Sequence, residues 1–207
     1  MVFRNEQVSR EETEKISAVA RGVLSDVEGD FVELGCYEGD TSLLLAEILK
    51  DYNGGAGCGK PVENFEKKKL WIYDSFEGLP EKTEADESVL GEDFREGELF
   101  VSKRTVKERF LRAGLTVPKI KKAWFRDLTE ADLPGKIAFA FLDGDLYESI
   151  RDSLRLVGSK MAAGGAILIH DYKNPALPGV AKAVDEWNRE RKLKIEVFQS
   201  LAIVFVI

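Results

Sequence analysis

Three short strings in this 207-residue chain carry side chains able to do chemistry. The first is Leu142-Asp143-Gly144-Asp145-Leu146-Tyr147-Glu148-Ser149, and the second is Ile169-His170-Asp171-Tyr172. Each follows a short apolar run of the kind that forms a buried strand, so three or four ligand-type side chains could meet where two strands end. A hard divalent cation favours their carboxylate oxygens, whereas imidazole suits manganese, iron, nickel or zinc better than magnesium. Acid–base work is the alternative, with a carboxylate or His170 taking a proton from a bound hydroxyl. The Asp pair could also do no more than cap a helix opening at Tyr147. His170 is the only histidine in the chain, which excludes any mechanism that needs two.

The third string is Glu33-Leu34-Gly35-Cys36-Tyr37-Glu38-Gly39, directly after another strand-like run. Glycines at such a turn let backbone approach a ligand without a Cβ clash. A dinucleotide site would prefer G-x-G-x-x-G, and Tyr37 occupies the place of its middle glycine. An acidic Glu33 suits a cationic or amine-bearing ligand better than a diphosphate. A plain strand-to-helix turn needing two glycines is the alternative. Asp74 ends a further strand run, where a carboxylate can accept hydrogen bonds from both ribose hydroxyls or simply serve a turn. The string GAGCGK, residues 55–60, is similar to half a phosphate-binding loop but lacks the preceding strand and spacing.

Composition narrows the partners. With 37 acidic against 30 basic residues the net charge is −7, which argues against a generally basic nucleic-acid surface and leaves a local basic patch open. Cys36 and Cys58 are too few for a disulfide scaffold or a cysteine-rich zinc site. No apolar run approaches the roughly 20 residues that span a bilayer, and the first 15 residues lack a signal-peptide core. The expectation is a soluble, cytoplasmic protein with no membrane or nucleic-acid partner, folded as a single domain over residues 1–207.

These side chains must be positioned by elements that the hydrophobic spacing predicts. Strands are expected at 30–34, 70–73, 120–125, 137–142 and 166–169, with two more β-rich runs in KIEVFQSLAIVFVI pivoting near Gln199 and Ser200. Helices are expected at 14–24, 41–49, 105–113, 147–157 and 179–191, the first opened by a Ser9–Glu12 capping box. Residues 51–69 read as a surface loop, and acidic residues 80–98 as a loop or lid. Alternating strands and helices imply an α/β fold with a doubly wound, mainly parallel sheet, and the paired final strands an antiparallel element at its end. Such sheets bind ligands beyond the carboxyl ends of their strands, where the strings above lie.

With those residues in hand, the chain resembles the macrocin O-methyltransferase (TylF-like) family of S-adenosylmethionine-dependent enzymes. The likeness runs through FVELGCYEGDTS, IYDSFEGLPE, AWFRDLTE, FLDGDLYESIRDSL, ILIHDY and GVAKAVDEW, in order, over residues 30–190. It implies a single Rossmann-like class I methyltransferase domain, a seven-stranded sheet with its last strand antiparallel. It also implies an O-methyltransferase moving a methyl group to a hydroxyl of a small acceptor, a sugar or natural product. By the same resemblance Glu33, Gly35 and Gly39 surround the methionine end of S-adenosylmethionine, and Ser42 lies near its carboxylate. Asp74 holds the ribose, Ser75 and Phe76 flank the adenine, and Asp127 faces the adenine amino group. Asp143 is implied as a metal ligand, a neighbour of the cofactor and a candidate base.

In such enzymes a metal, usually magnesium, lowers the acceptor hydroxyl's pKa as a Lewis acid. The family's fifth-strand motif is Asp-Asp-Tyr, and this chain has His170-Asp171-Tyr172. The metal set becomes Asp143, His170 and Asp171, with magnesium or manganese as the candidates. His170 then ligates a different metal, acts as a base without one, or marks an altered site. Fewer residues precede the first strand than in relatives that carry acceptor-covering helices there, so acceptor specificity does not carry over. A nicotinamide-dependent oxidoreductase and a non-catalytic S-adenosylmethionine-binding protein are the rival readings, and a homodimer is left open.

Overall fold

The computed structural model describes residues 7–55, 67–92 and 94–207. Cys58 and nearly all of the GAGCGK string lie outside the described residues. The chain runs α1 (Arg10–Gly22), β1 (Asp30–Leu34), α2 (Asp40–Asn53), β2 (Leu70–Asp74), α3 (Lys103–Arg112), β3 (Lys119–Lys122) and β4 (Ile137–Leu142). It continues through α4 (Tyr147–Gly158), β5 (Met161–Ile169), α5 (Pro178–Arg191), β6 (Ile195–Phe198) and β7 (Leu201–Phe205). The strands form one seven-stranded sheet in the order β3-β2-β1-β4-β5-β7-β6. β7 alone runs against its neighbours, pairing antiparallel with both β5 and β6.

The strand order follows from burial. β4, Ile-Ala-Phe-Ala-Phe-Leu, is fully buried along its length, as a strand covered on both faces must be. β3, Lys-Ile-Lys-Lys, is mostly exposed, and its lysines suit a sheet edge. After β3 the chain returns to the centre, so β1 is flanked by β2 on one side and β4 on the other. That reversal opens a crevice at the carboxyl ends of β1 and β4.

Side chains alternate between two apolar layers. Phe31, Ile72, Phe139, Phe141 and Leu168 pack on the face covered by α1, α2 and α3. Val32, Leu34, Ala140, Leu142, Ile167 and Ile169 pack on the face covered by α4 and α5. The period of two therefore puts Glu33, Asp143 and His170 on the α1–α2 side, where β1, β4 and β5 end.

Two expectations need revision. The strand expected at 120–125 stops at Lys122, because its partner β2 ends at Asp74, whose carbonyl accepts from Ala123 N–H at 2.9 Å. Phe125–Asp127 is then a single 3₁₀ turn. Residues 80–98 are not a free lid. Asp86, in a short 3₁₀ turn, accepts the Tyr147 N–H at 2.7 Å and so caps α4, whose own first residues offer no side-chain cap. Ser88 donates to the Pro175 carbonyl at 2.9 Å, and Gly91 sits against the Ala176 carbonyl where a Cβ would approach to 2.3 Å.

Candidate functional site

The ends of β1, β2, β4 and β5 share an unusual backbone. Tyr37, Phe76, Asp145 and Asp171, each two or three residues past a strand, adopt positive φ of 43°, 49°, 58° and 60°. Non-glycine residues in this region are uncommon and cluster where function holds the chain in place. Gly35 packs tighter still: at φ +89°, a Cβ there would lie 1.9 Å from the Asp143 carbonyl oxygen.

Two cavities meet at this rim. A cleft of about 480 Å³ is lined by Asp74, Ser75, Leu79, Trp124, Phe125 and Asp145, among others. A smaller one of about 290 Å³ lies beneath the Gly35–Gly39 loop and is lined by Glu33, Thr41 and residues of that loop. Gly35, Tyr37 and Asp143 line both.

Glu33 is almost wholly buried. Ser42 donates to its Oε2, while its Oε1 has no hydrogen-bond partner. Burial first, and the Asp143 and Asp74 charges next, push its carboxyl up to about 8 despite the Ser42 hydrogen bond. A buried carboxylate oxygen lacking a donor is costly unless a cationic group completes it. Asp74 is committed to backbone: its oxygens accept from Cys36 N–H at 2.9 Å and Phe76 N–H at 2.7 Å.

The structure brings Glu33, Gly35, Asp74, Ser75 and Asp143 to the cavities, and Gly39 to the smaller one. Ser42 is buried behind Glu33. The Phe76 ring joins the core, and Asp127 is exposed and outside the cleft lining. Trp124 and Phe125, from the same turn as Asp127, supply the aromatic wall instead. Asp145 also lines the cleft, and burial with the neighbouring Asp143 and Asp171 charges pushes its carboxyl well above the usual range.

Asp143, His170 and Asp171 converge. His170 Nδ1 lies 3.0 Å from Asp143 Oδ1 and 3.0 Å from Asp171 Oδ2. One ligand atom from each of the three falls within 4.8 Å of the others. Burial opposes charge on the imidazole, but the Asp143 charge and hydrogen bond and the nearby Asp171 and Glu12 carboxylates outweigh it and hold His170 well above its usual range. A divalent cation held by these three residues would take the place of a proton on Nδ1. Two carboxylates and an imidazole nitrogen fit a divalent cation that accepts nitrogen, manganese before magnesium.

The sequence profile of the macrocin-O-methyltransferase (TylF) family matches residues 7–203. The chain belongs to the TylF family. A Streptomyces olivaceus relative, "8-demethyl-8-(2,3-dimethoxy-alpha-L-rhamnosyl)-tetracenomycin-C 4'-O-methyltransferase", is 33% identical over 72% of this chain and 56% of its own length. "Demethyldecarbamoylnovobiocin O-methyltransferase" of Streptomyces niveus is 29% identical over 79% of this chain and 59% of its own. The chain thus spans less than two thirds of the length of these TylF-like relatives. Among solved structures, the O-methyltransferase NovP superposes with a TM-score of 0.77 at 24% identity, covering 94% of this chain and 78% of that one. The calicheamicin methyltransferase CalS11 gives 0.73 at 18%, covering 96% and 80%. The TylF chain therefore has the class I methyltransferase fold. None of its described helices is long and apolar enough to cross a membrane.

Proposed function

We propose that this chain is an S-adenosylmethionine-dependent O-methyltransferase acting, with help from a divalent metal, on a hydroxyl of a small acceptor, a sugar or natural product. The observation that carries this is the buried, unpartnered Oε1 of Glu33 in a cavity that joins the Asp74 cleft at Asp143. An elongated ligand with a cationic amine at one end and a flat polar ring at the other suits that pair of cavities.

When bound, S-adenosylmethionine supplies an electrophilic sulfonium methyl group, and a divalent metal supplies Lewis acidity toward a hydroxyl. Glu33 would hold the α-ammonium and the Gly35–Gly39 loop the methionine chain. Asp74, with Cys36 N–H and Phe76 N–H already aligned on it, would present oxygen to the ribose; Trp124 and Phe125 would wall the adenine. Asp143, His170 and Asp171 would hold the metal at the rim, and Asp143 or His170 would take the acceptor's proton. The same reading places the protein in the cytoplasm, as one methyltransferase domain with no nucleic-acid partner. The relatives' names support the reaction class and an acceptor among natural products.

Calorimetric titration with S-adenosylhomocysteine tests the cofactor, and binding is the expected result; its absence would sink the proposal. Transfer of a radiolabelled methyl group to a panel of hydroxylated sugars and phenols then tests the reaction.

A further inference from the structure

Glu12 of α1 reaches the carboxyl end of β5 from outside both cavities. Its Oε1 accepts Ser200 N–H at 3.0 Å and Ser200 Oγ–H at 2.6 Å. Its Oε2 accepts Ser9 N–H at 3.1 Å and lies 3.8 Å from His170 Nε2. The two side chains are 6% and 5% exposed, so water contributes little between them. Every donor reaching this carboxylate marks it as an acceptor, and an ionised carboxylate can only accept. At 3.8 Å the two atoms stand just outside hydrogen-bond distance, and an N–H is the ring group that such a carboxylate favours. The opposite ring atom, Nδ1, faces Asp143 and Asp171.

We infer that Glu12 is a positioning residue for the metal centre, fixing His170 with its hydrogen on Nε2 and the Nδ1 lone pair toward the cation. This rests on the metal reading proposed above. A ligating imidazole is commonly held this way by a carboxylate on its other nitrogen, which fixes the ring and raises its basicity. Here Ser9 on one side and Ser200 on the other fix the carboxylate itself, so the N-terminal helix and the β6–β7 turn both bear on the metal site.

Because the chain has one histidine, [15N]histidine labelling of the full chain gives a single imidazole spin system. In the zinc-loaded protein, long-range 15N–1H spectra should show Nε2 protonated and Nδ1 bare. With MnCl2 alone, Glu12→Gln should lose about 10- to 100-fold in affinity, as outer-shell changes do. Its imidazole should then mix tautomers, while S-adenosylhomocysteine affinity stays within about twofold, as expected for an outer-shell change that spares the cofactor pocket. Should Glu12→Gln fail to fold, Ser200→Ala removes one of the donors on Glu12 and should weaken manganese binding in the same sense. A hydrogen on Nδ1 of the loaded wild type, or wild-type manganese affinity and tautomer in the variant, would overturn the inference alone. A wild-type chain that binds neither manganese nor zinc would overturn the metal reading and this inference with it.

Discussion

Asp74 at the end of β2 accepts the backbone N–H of Cys36, just past β1, at 2.9 Å, and so locks the glycine loop to the neighbouring strand. Its other oxygen orders the left-handed turn at Phe76. One carboxylate thus shapes both sides of the cleft before any ligand arrives.

Asp74→Ala leaves two backbone donors without their acceptor. Urea unfolding should show a loss of about 1–3 kcal/mol, the scale for stranding buried polar groups. Affinity for S-adenosylhomocysteine should fall at least about tenfold, since the proposed ribose contact and the loop's shape go together. Wild-type affinity in a folded variant would remove Asp74 from the cofactor site.

On the proposed reading, Glu33 should make cofactor binding depend on pH. Its folded value is raised, from an ordinary 4.5 to about 8, so its contribution to stability is full below 4.5 and is lost as pH rises through about 8. A bound α-ammonium favours the ionised form, so binding within that window expels a proton. S-adenosylhomocysteine affinity should rise with pH by up to about tenfold per unit and level off near pH 8. Calorimetry in buffers of different ionisation enthalpy should register the proton, and Glu33→Gln should abolish it while weakening binding.

Gly35→Ala should be among the most damaging single changes. The added methyl would collide with the Asp143 carbonyl at 1.9 Å on a backbone already at φ +89°. Strain and displacement together should cost about 2–4 kcal/mol, visible as a lowered denaturation midpoint, with cofactor affinity lost as well.

His170→Asp restores an all-carboxylate set and should shift metal preference. Activity after EDTA treatment should return better with manganese than magnesium in the wild type, and the ratio should move toward magnesium by about tenfold in the variant. If EDTA leaves turnover intact in the wild type, His170 works without a metal.

Asp86→Ala should free residues 80–98 from the helix ends. Loss of the Tyr147 cap should cost about 1–2 kcal/mol. Limited proteolysis should then cut within this segment far faster than in the wild type.

Much of the fold is legible because its cues are local. The all-apolar run Ile137–Leu142 reads as a strand and is one, and the Ser9–Glu12 capping box is present as the spacing requires. The rule that ligands gather at strand ends led to Asp74, Asp143, His170 and Asp171 without coordinates. What stayed hidden depends on distant partners. The end of β3 is set by where β2 stops. Asp86 looks like one more acid in an acidic stretch until Tyr147, 61 residues on, is beside it. Glu12 shows its capping role in the sequence, but Ser200, which fixes its other oxygen, is 188 residues away. Phe76, set beside the adenine by resemblance alone, has a left-handed backbone and a ring buried in the core.

Asp86, Ser88 and Gly91 tie the stretch after β2 to the starts of α4 and α5. A segment tied at three points carries less ordering cost than a free loop when anything binds beside it. On the proposed reading, grafting that stretch from a relative asks whether it bears on acceptor choice, with S-adenosylhomocysteine affinity as the control.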